Sequence, residues 1–188
     1  WEEIGRKGVL ALTCDSTNVF STHPGRSESS LRGPLRDLIR GASGMVVATT
    51  FASNVARLRT IADAATEAGR SVCLLGRAMR RMVDVAQETG LLTGFPRTLS
   101  PEEAAEVPRE RLLILATGSQ GERRAASAQL ASQGFMGLSL KEGDTFLFSA
   151  RTIPGNERGV GRIMNQLSEK GVDVIDDEGG RYHVSGHA

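Results

Sequence analysis

The feature that constrains the fold most is a regular alternation of apolar runs and helical repeats between residues 45 and 175. The apolar runs predict strands at 45–50, 71–75, 112–117, 145–150 and 172–175, and apolar residues at helical spacing predict helices over 54–68, 79–89, 121–133 and 157–170. Strands that alternate with helices pair in parallel. We therefore predict an α/β fold with a mostly parallel central sheet and helices on both faces.

Apolar runs at both ends of the chain predict two further strands, each of which ends in polar residues. Residues 9–18 read VLALTCDSTN, which places Asp15 after a buried strand, and residues 181–188 read RYHVSGHA, which brings Ser185 and His187 to a strand end. An acid in this position can bind a metal, act as a base or cap the next turn. Spacing alone leaves these three roles open for Asp15.

Composition narrows the class of protein but not its partner. A chain of 188 residues with 39% hydrophobic residues can bury one substantial core, and a net charge of +1 makes no overall electrostatic case for nucleic acid. Cys14 and Cys73 lie in apolar runs without a disulfide framework, which indicates a reducing, cytoplasmic location. No stretch approaches the roughly 20 apolar residues of a membrane span, so we expect no membrane association.

The junctions between strands and helices carry small polar residues that favour anions. Their sequences are TTFASN, GRAM, ATGSQGE and SARTIPGNE, and free amides at the following helix starts suit phosphate. Ser53 and Ser119 are candidates, although each can equally be a helix cap. Arginines cluster at these junctions; we predict that most, Arg57 among them, are solvated helix surface, and that Arg77 and Arg151 lie nearest the strand ends.

The histidines do not form a self-contained metal site by pattern. His183 and His187 are four residues apart, but Val184 and Gly186 place them on a strand and a turn, without the helix and the glutamate of a zinc motif. His23 lies beside a proline in a loop and is predicted to be a surface residue.

Six motifs, in order, carry a family resemblance over nearly the whole chain: CDSTN, ATTFASNVARL, GRAM, ATGSQGE, FSARTIPGNE and HVSGHA. They closely resemble bacterial ribonuclease J, a metallo-β-lactamase superfamily enzyme with a β-CASP insertion of Rossmann-like fold. The resemblance implies a two-zinc ribonuclease that acts as a 5′-to-3′ exonuclease on 5′-monophosphorylated RNA and also as an endonuclease.

The resemblance also implies roles for individual residues. Asp15 falls on the carboxylate that bridges the two zincs, and His187 falls on a β-CASP histidine that assists the reaction. The residues implied to bind RNA or its phosphates are Ser53, Asn54, Gly118, Ser119, Gln120, His183 and Ser185. Arg123 stands where the family usually has proline, and Arg151 stands where it has a small residue.

The family's HxHxDH run of zinc ligands would precede Trp1, and its last histidine ligand would follow Ala188. We therefore expect residues 1–18 to be a stub of a metallo-β-lactamase domain, 19–178 the β-CASP domain and 179–188 a returning stub. Such a fragment is expected to bind no zinc tightly and to be inactive alone. RNA is the expected partner, and the resemblance leaves open a homodimer of the full-length form and association with other RNA-processing proteins.

Two other classes of function fit the strand-end hydroxyls without the motif series. One is a nucleotide- or sugar-phosphate-binding α/β domain, and the other is a pure interaction domain. Ordered binding of the base and ribose of a nucleoside monophosphate would favour the former over an RNA-binding domain.

Overall fold

The structure is a computed structural model that describes residues 2–16, 20, 25–176 and 180–185. Its centre is a six-stranded sheet in which every neighbouring pair of strands is parallel. The strands are β1 (Val46–Thr49), β2 (Ser71–Leu75), β3 (Thr98–Leu99), β4 (Leu112–Ala116), β5 (Thr145–Phe148) and β6 (Asp173–Ile175), in the order β3-β2-β4-β1-β5-β6. The predicted parallel α/β sheet is confirmed. No helix within the described ranges is long and apolar enough to cross a membrane.

Helices cover both faces of the sheet, as predicted. The covering helices are α2 (Arg32–Gly41), α3 (Val55–Glu67), α4 (Arg77–Glu88), α5 (Pro101–Ala105), α6 (Ala126–Ser132) and α7 (Glu157–Glu169), whereas α1 (Glu2–Arg6) buries no residue. Helices α2, α3 and α4 pack on one face with Val46 and Ala48, whereas α5, α6 and α7 pack on the other with Met45 and Val47. Successive strand residues enter opposite cores, which explains why these strands are continuously apolar.

Local signals explain several helix starts. Ser100 and Glu103 form a capping box, with Pro101 as the first residue of α5. Pro34 lies in the first turn of α2, where its missing amide costs no helical hydrogen bond. A 3₁₀ helix, Glu28–Leu31, precedes α2, and the Ser27 hydroxyl accepts a hydrogen bond from the Ser29 amide at its start.

The interior of the fold differs from the predictions in two details. Helix α6 begins at Ala126 and not at residue 121, because the loop before it is bonded to the neighbouring loop through Gln120. The short strand β3 was not expected; its two residues pair with Val72 and Cys73 at the edge of the sheet.

The strands predicted at the two ends of the chain are also absent from the described residues. Residues 9–16 form no strand, and Val9, Leu10 and Leu12 are exposed. A strand needs a neighbour for its backbone groups, and this segment pairs with neither β3 nor β6 at the sheet edges. Residues 180–185 likewise form no strand.

The amino edge of the sheet is closed by internal hydrogen bonds. Arg70, which is buried, donates to the backbone carbonyls of Ile39 (3.1 Å) and Gly44 (2.7 Å). Asp144, also buried, accepts from the Met45 amide (2.9 Å) and pairs with Arg109. The open loops with small polar residues therefore lie at the opposite, carboxyl edge.

Candidate functional site

The carboxyl edge of three adjacent strands gathers the predicted binding loops. Strands β4, β1 and β5 are neighbours in the sheet, with Thr49 in register with Ala116 on one side and Phe148 on the other. The loop after β1 carries Ser53, and the loop after β4 carries Ser119. The parallel topology therefore brings these two loops to one edge, where α/β folds bind ligands.

Ser53 is an exposed serine, not a helix cap. The cap of α3 is Asn54, whose side-chain oxygen accepts from the Arg57 amide at 3.0 Å. The Ser53 carbonyl accepts from the Val55 amide, while its side chain is exposed beside the helix start. Ser53 is therefore not the cap of α3, and Asn54 is. The predicted RNA contacts of both residues stay predictions.

Ser119 is also not a cap, because α6 begins at Ala126 after a loop of several residues. It is only 3% exposed. The preceding Gly118 has a φ of 109° and packs so closely on Ser127 that a Cβ atom would collide with its hydroxyl, which donates to the Gly118 carbonyl at 2.9 Å. Glycine is thus required to fold this loop against α6.

Gln120 ties the loop after β4 to the loop after β5. Its side-chain nitrogen donates to the Arg151 carbonyl (3.0 Å), and its side-chain oxygen accepts from the Ile153 amide (2.8 Å) and the Asn156 side chain (3.1 Å). With this amide engaged inside the protein, Gln120 fixes the loops in place. Its predicted contact with RNA stays a prediction.

A close glycine contact seats the same loop on α7. A Cβ atom on Gly121, which has a φ of 76°, would collide with the backbone of Gly159, the first residue of the sequence GVGR at 159–162. That stretch has no ligand-binding loop geometry, because it lies inside α7. Its first glycine instead lets the helix approach the loop after β4.

Arg57 departs most from the sequence prediction. It is fully buried in α3, and its guanidinium forms a two-pronged pair with Glu28 (2.6 and 2.9 Å). It also donates to the carbonyl (2.9 Å) and hydroxyl (3.0 Å) oxygens of Ser149, just after β5. A signal was available: Arg57 is four residues before the buried Ile61, on the apolar face of its helix.

The segment 180–185 is held by its carbonyl groups and not by strand pairing. The Ser149 hydroxyl donates to the Tyr182 carbonyl at 2.6 Å, and Arg57 reaches the carbonyls of Tyr182 (3.5 Å) and Val184 (3.4 Å). Arg26 donates to the His183 carbonyl at 2.9 Å and also to that of Gly180. Side chains therefore replace the missing strand neighbour, and we call this set of contacts the carbonyl clamp.

The clamp places His183 in a positively charged surrounding. Burial is the main cause that lowers the pKa of His183 to about 4, and the charges of Arg57, Arg151 and Arg26 lower it further against the opposing effect of Glu28. The imidazole is therefore neutral near pH 7, with a hydrogen on one of its two ring nitrogens. The nearby arginines make the charge around this segment locally positive, and the predicted RNA contact of His183 stays a prediction.

Thr50 adds a buried hydroxyl to the end of β1. It is 2% exposed, and its side-chain oxygen finds no hydrogen-bond partner in the part of the chain that the structure describes. The Ser149 amide donates to the neighbouring Thr49 carbonyl, so Thr50 lies beside the Ser149 end of the clamp. A buried hydroxyl without a partner is a feature of sites that hold water or a ligand.

A family model described as the β-CASP domain of ribonuclease J matches residues 43–167. The chain belongs to the ribonuclease J family. It is 46% identical over its whole length to a ribonuclease J of Sinorhizobium meliloti, 41% identical over 98% of its length to one of Mycolicibacterium smegmatis, and 38% identical over 99% to one of Thermus thermophilus. The chain spans about a third of the length of each of these relatives.

The match to this family model extends from β1 to β5. It includes the loops that carry Ser53, Asn54, Gly118, Ser119 and Gln120. It does not reach Asp15, His183 or Ser185, which lie within the aligned length of the relatives. The predicted catalytic His187 lies outside the described residues. The predicted domain boundaries at 18 and 178 stay predictions.

The described residues do not supply a zinc site by themselves. Nowhere in the described ranges do three histidine, cysteine or acidic side chains gather as metal ligands, and Asp15 is exposed. Burial raises the pKa of the Cys73 thiol to about 11, so this thiol stays protonated and is a poor ligand. The described residues therefore do not make up a complete set of metal ligands, and the predicted metal-binding role of Asp15 stays a prediction.

Proposed function

We propose that this chain is the RNA-binding β-CASP part of a metal-dependent ribonuclease of the ribonuclease J family. The proposed substrate is 5′-monophosphorylated RNA, degraded in the 5′-to-3′ direction and also cut internally. The observation that carries the proposal is the meeting, at the carboxyl edge of β4, β1 and β5, of two serine-bearing loops and the clamped His183 segment.

The proposed binding chemistry uses groups that donate to phosphate oxygens. Ser53 and Ser119 offer hydroxyls from adjacent strand ends, and the neutral imidazole of His183 and the side chain of Ser185 lie on the segment that the clamp holds. Arg26 and Arg151 contribute positive charge near His183. Hydrogen bonds to a charged phosphate are stronger than those between neutral groups, so a few such donors can fix a terminal phosphate.

We propose zinc binding only for the complete enzyme. Asp15 is proposed as a ligand shared by two zinc ions, and His187 as a group that assists the reaction. The chain by itself is proposed to bind no zinc tightly and to leave RNA uncut, because a zinc centre needs about three or four protein ligands for each ion. A homodimer, other RNA-processing partners and a cytoplasmic location are likewise proposed for the full-length form alone.

The test replaces the aligned 187 residues of the Sinorhizobium meliloti ribonuclease J with this chain and compares RNAs that carry a 5′-monophosphate or a 5′-triphosphate. Ser53→Ala should lower kcat/KM for the monophosphate RNA by about tenfold, the effect of one hydrogen bond to a charged group, and lower it less for the triphosphate RNA. Ser43→Ala, which changes an exposed serine at the amino edge, is the matched control.

Two results would contradict the proposal. An equal loss of kcat/KM for both RNAs in Ser53→Ala would show that Ser53 does not bind the 5′-monophosphate. Metal-dependent cleavage by the unfused chain in excess zinc or manganese, abolished by Asp15→Ala, would show that the chain holds a complete active site of its own.

A further inference from the structure

A groove of about 260 Å³ lies between α6 and α7, on the face of the sheet opposite the carbonyl clamp. It is lined by Arg123, Ala128, Ser132, Arg162 and Gln166. The two helices present their lining residues as pairs four apart, 128 with 132 and 162 with 166, so each pair lies on one helix face. Both charged groups of the lining are guanidinium groups, and the remaining lining residues are neutral.

The groove adjoins the loop after β4, because Arg123 lies both in that loop and in the groove lining. Arg162 donates to the Gly121 carbonyl at 3.2 Å, which joins α7 to the loop that carries Ser119. Arg123 follows Gly121 by two residues in that same loop, and its side chain is exposed. A strand of RNA that leaves the carboxyl edge over this loop would meet Arg123 and Arg162 next.

The charge of the groove is a local feature. The whole chain has a net charge of only +1, so it has no general attraction for polyanions. Two guanidinium groups at one groove, with no carboxylate in its lining, provide the planar donors that bind phosphate oxygens in pairs. Ala128 is the one apolar residue of the lining, so the groove lacks the apolar anchor that a bound peptide usually needs.

We propose that the α6–α7 groove is a second RNA contact, in which Arg123 and Arg162 bind backbone phosphates of single-stranded RNA beyond the nucleotides held at the carboxyl edge. This inference rests on the proposed function. It extends the bound length of the RNA and contributes no selectivity for bases, since phosphate contacts carry no sequence information.

The test measures binding of a long single-stranded RNA and of a 5′-phosphorylated dinucleotide to the 188-residue chain at several salt concentrations. The variant Arg123→Gln/Arg162→Gln should bind the long RNA about tenfold more weakly. The slope of log affinity against log salt should fall by about 1.4, or about 0.7 for each lost phosphate contact. Affinity for the dinucleotide should be unchanged.

The control variant, Arg40→Gln/Arg111→Gln, removes the same charge from exposed arginines near the amino edge, and it should bind both RNAs like the parent. Arg123→Gln alone keeps the Arg162 contact with Gly121 and should show about half of the change in slope, which separates lost RNA contacts from a loosened loop.

Three results would contradict the proposal that the groove binds RNA. One is long-RNA binding by the groove variant that equals binding by the control variant. A second is an equal loss for the dinucleotide, which would place both arginines in the terminal-phosphate site. The third is displacement of long RNA by polyglutamate at equal charge concentration, which would indicate a site for acidic polypeptide. Failure of the parent chain to bind either RNA would contradict the proposed function itself.

Discussion

His183 is proposed to contact phosphate without carrying a charge of its own. Burial and three arginines keep its imidazole neutral at physiological pH, with a pKa lowered to about 4. A neutral imidazole can donate a hydrogen bond to a phosphate without a change of protonation, while the arginines attract the anion. The sequence placed His183 on a strand that is absent from the structure, and its protonation state depends on tertiary contacts that no local pattern contains.

The lowered pKa predicts how stability depends on pH. In the unfolded chain His183 takes up a proton near its ordinary pKa of about 6.5, whereas in the folded chain it stays neutral down to about pH 4. The unfolded state therefore binds more protons between these values, and this contribution to stability, fully present above pH 6.5, is lost as the pH falls toward 4. Urea unfolding at several pH values should show this loss.

His183→Gln is the control for that prediction, because glutamine does not titrate in this range. Its stability should change less than that of the parent between pH 6.5 and pH 4. Identical pH profiles for parent and variant, or an imidazole NMR titration of His183 near pH 6.5 in the folded chain, would contradict the buried, neutral state.

Ser53 and Asn54 show which part of the candidate site can be predicted from sequence. The turn sequence TTFASN places Ser53 and Asn54 at a helix start, but either residue can be its cap. The backbone of the actual turn selects Asn54 and leaves the Ser53 side chain exposed. The roles of Gln120 and Arg57 were missed because their partners are 29 or more residues away in the chain.

At the scale of elements, segment 180–185 shows why an apolar run need not be a strand. Its alternating pattern predicts one, but its carbonyls are bonded to Arg26, Arg57 and Ser149 from three other parts of the chain. The same lack of a sheet neighbour leaves residues 9–16 outside the sheet. The five strands predicted inside the alternating region agree with the structure to within about two residues because each is paired in the sheet, whereas the two-residue edge strand β3 was missed.

Arg57→Ala should destabilise the chain by about 3 kcal/mol, at the lower end of the cost of breaking a buried ion pair because the Glu28 side chain is 25% exposed. The substitution leaves Glu28 and Ser149 without their donor and releases part of the carbonyl clamp. Urea unfolding at pH 7 measures the loss, and the resonances of His183 should shift in the folded variant.

Arg40→Ala, at an exposed position of α2, is the matched control and should change stability by less than about 0.5 kcal/mol. Arg57→Lys keeps the charge but not the two-pronged geometry, so it should remain less stable than the parent. A cost of less than about 1 kcal/mol for Arg57→Ala, with unchanged His183 resonances, would show that the clamp does not hold the segment.

At the scale of the whole molecule, the layered architecture was predictable because it depends on short-range periodicity. Alternating strands and helices specify a parallel sheet, and a parallel sheet specifies a common carboxyl edge for its loops. The strand order and the joining of loops by Gln120 and Gly121 were not predictable, since they depend on packing between distant parts of the chain. The clustering of arginines at the junctions was visible in the sequence despite the small net charge, but the placement of Arg26, Arg57 and Arg151 around His183 was not.

The proposed phosphate site is tested most directly by mapping, from backbone amide NMR shifts, where a 5′-monophosphorylated dinucleotide binds to this chain. We expect the largest shifts in residues 50–54, 117–121, 149–153 and 182–185, and much smaller shifts with the same dinucleotide lacking its 5′-phosphate. Shifts centred on the amino edge, at residues 41–45 and 140–144, or equal shifts with and without the phosphate, would show that the carboxyl edge does not bind the phosphate.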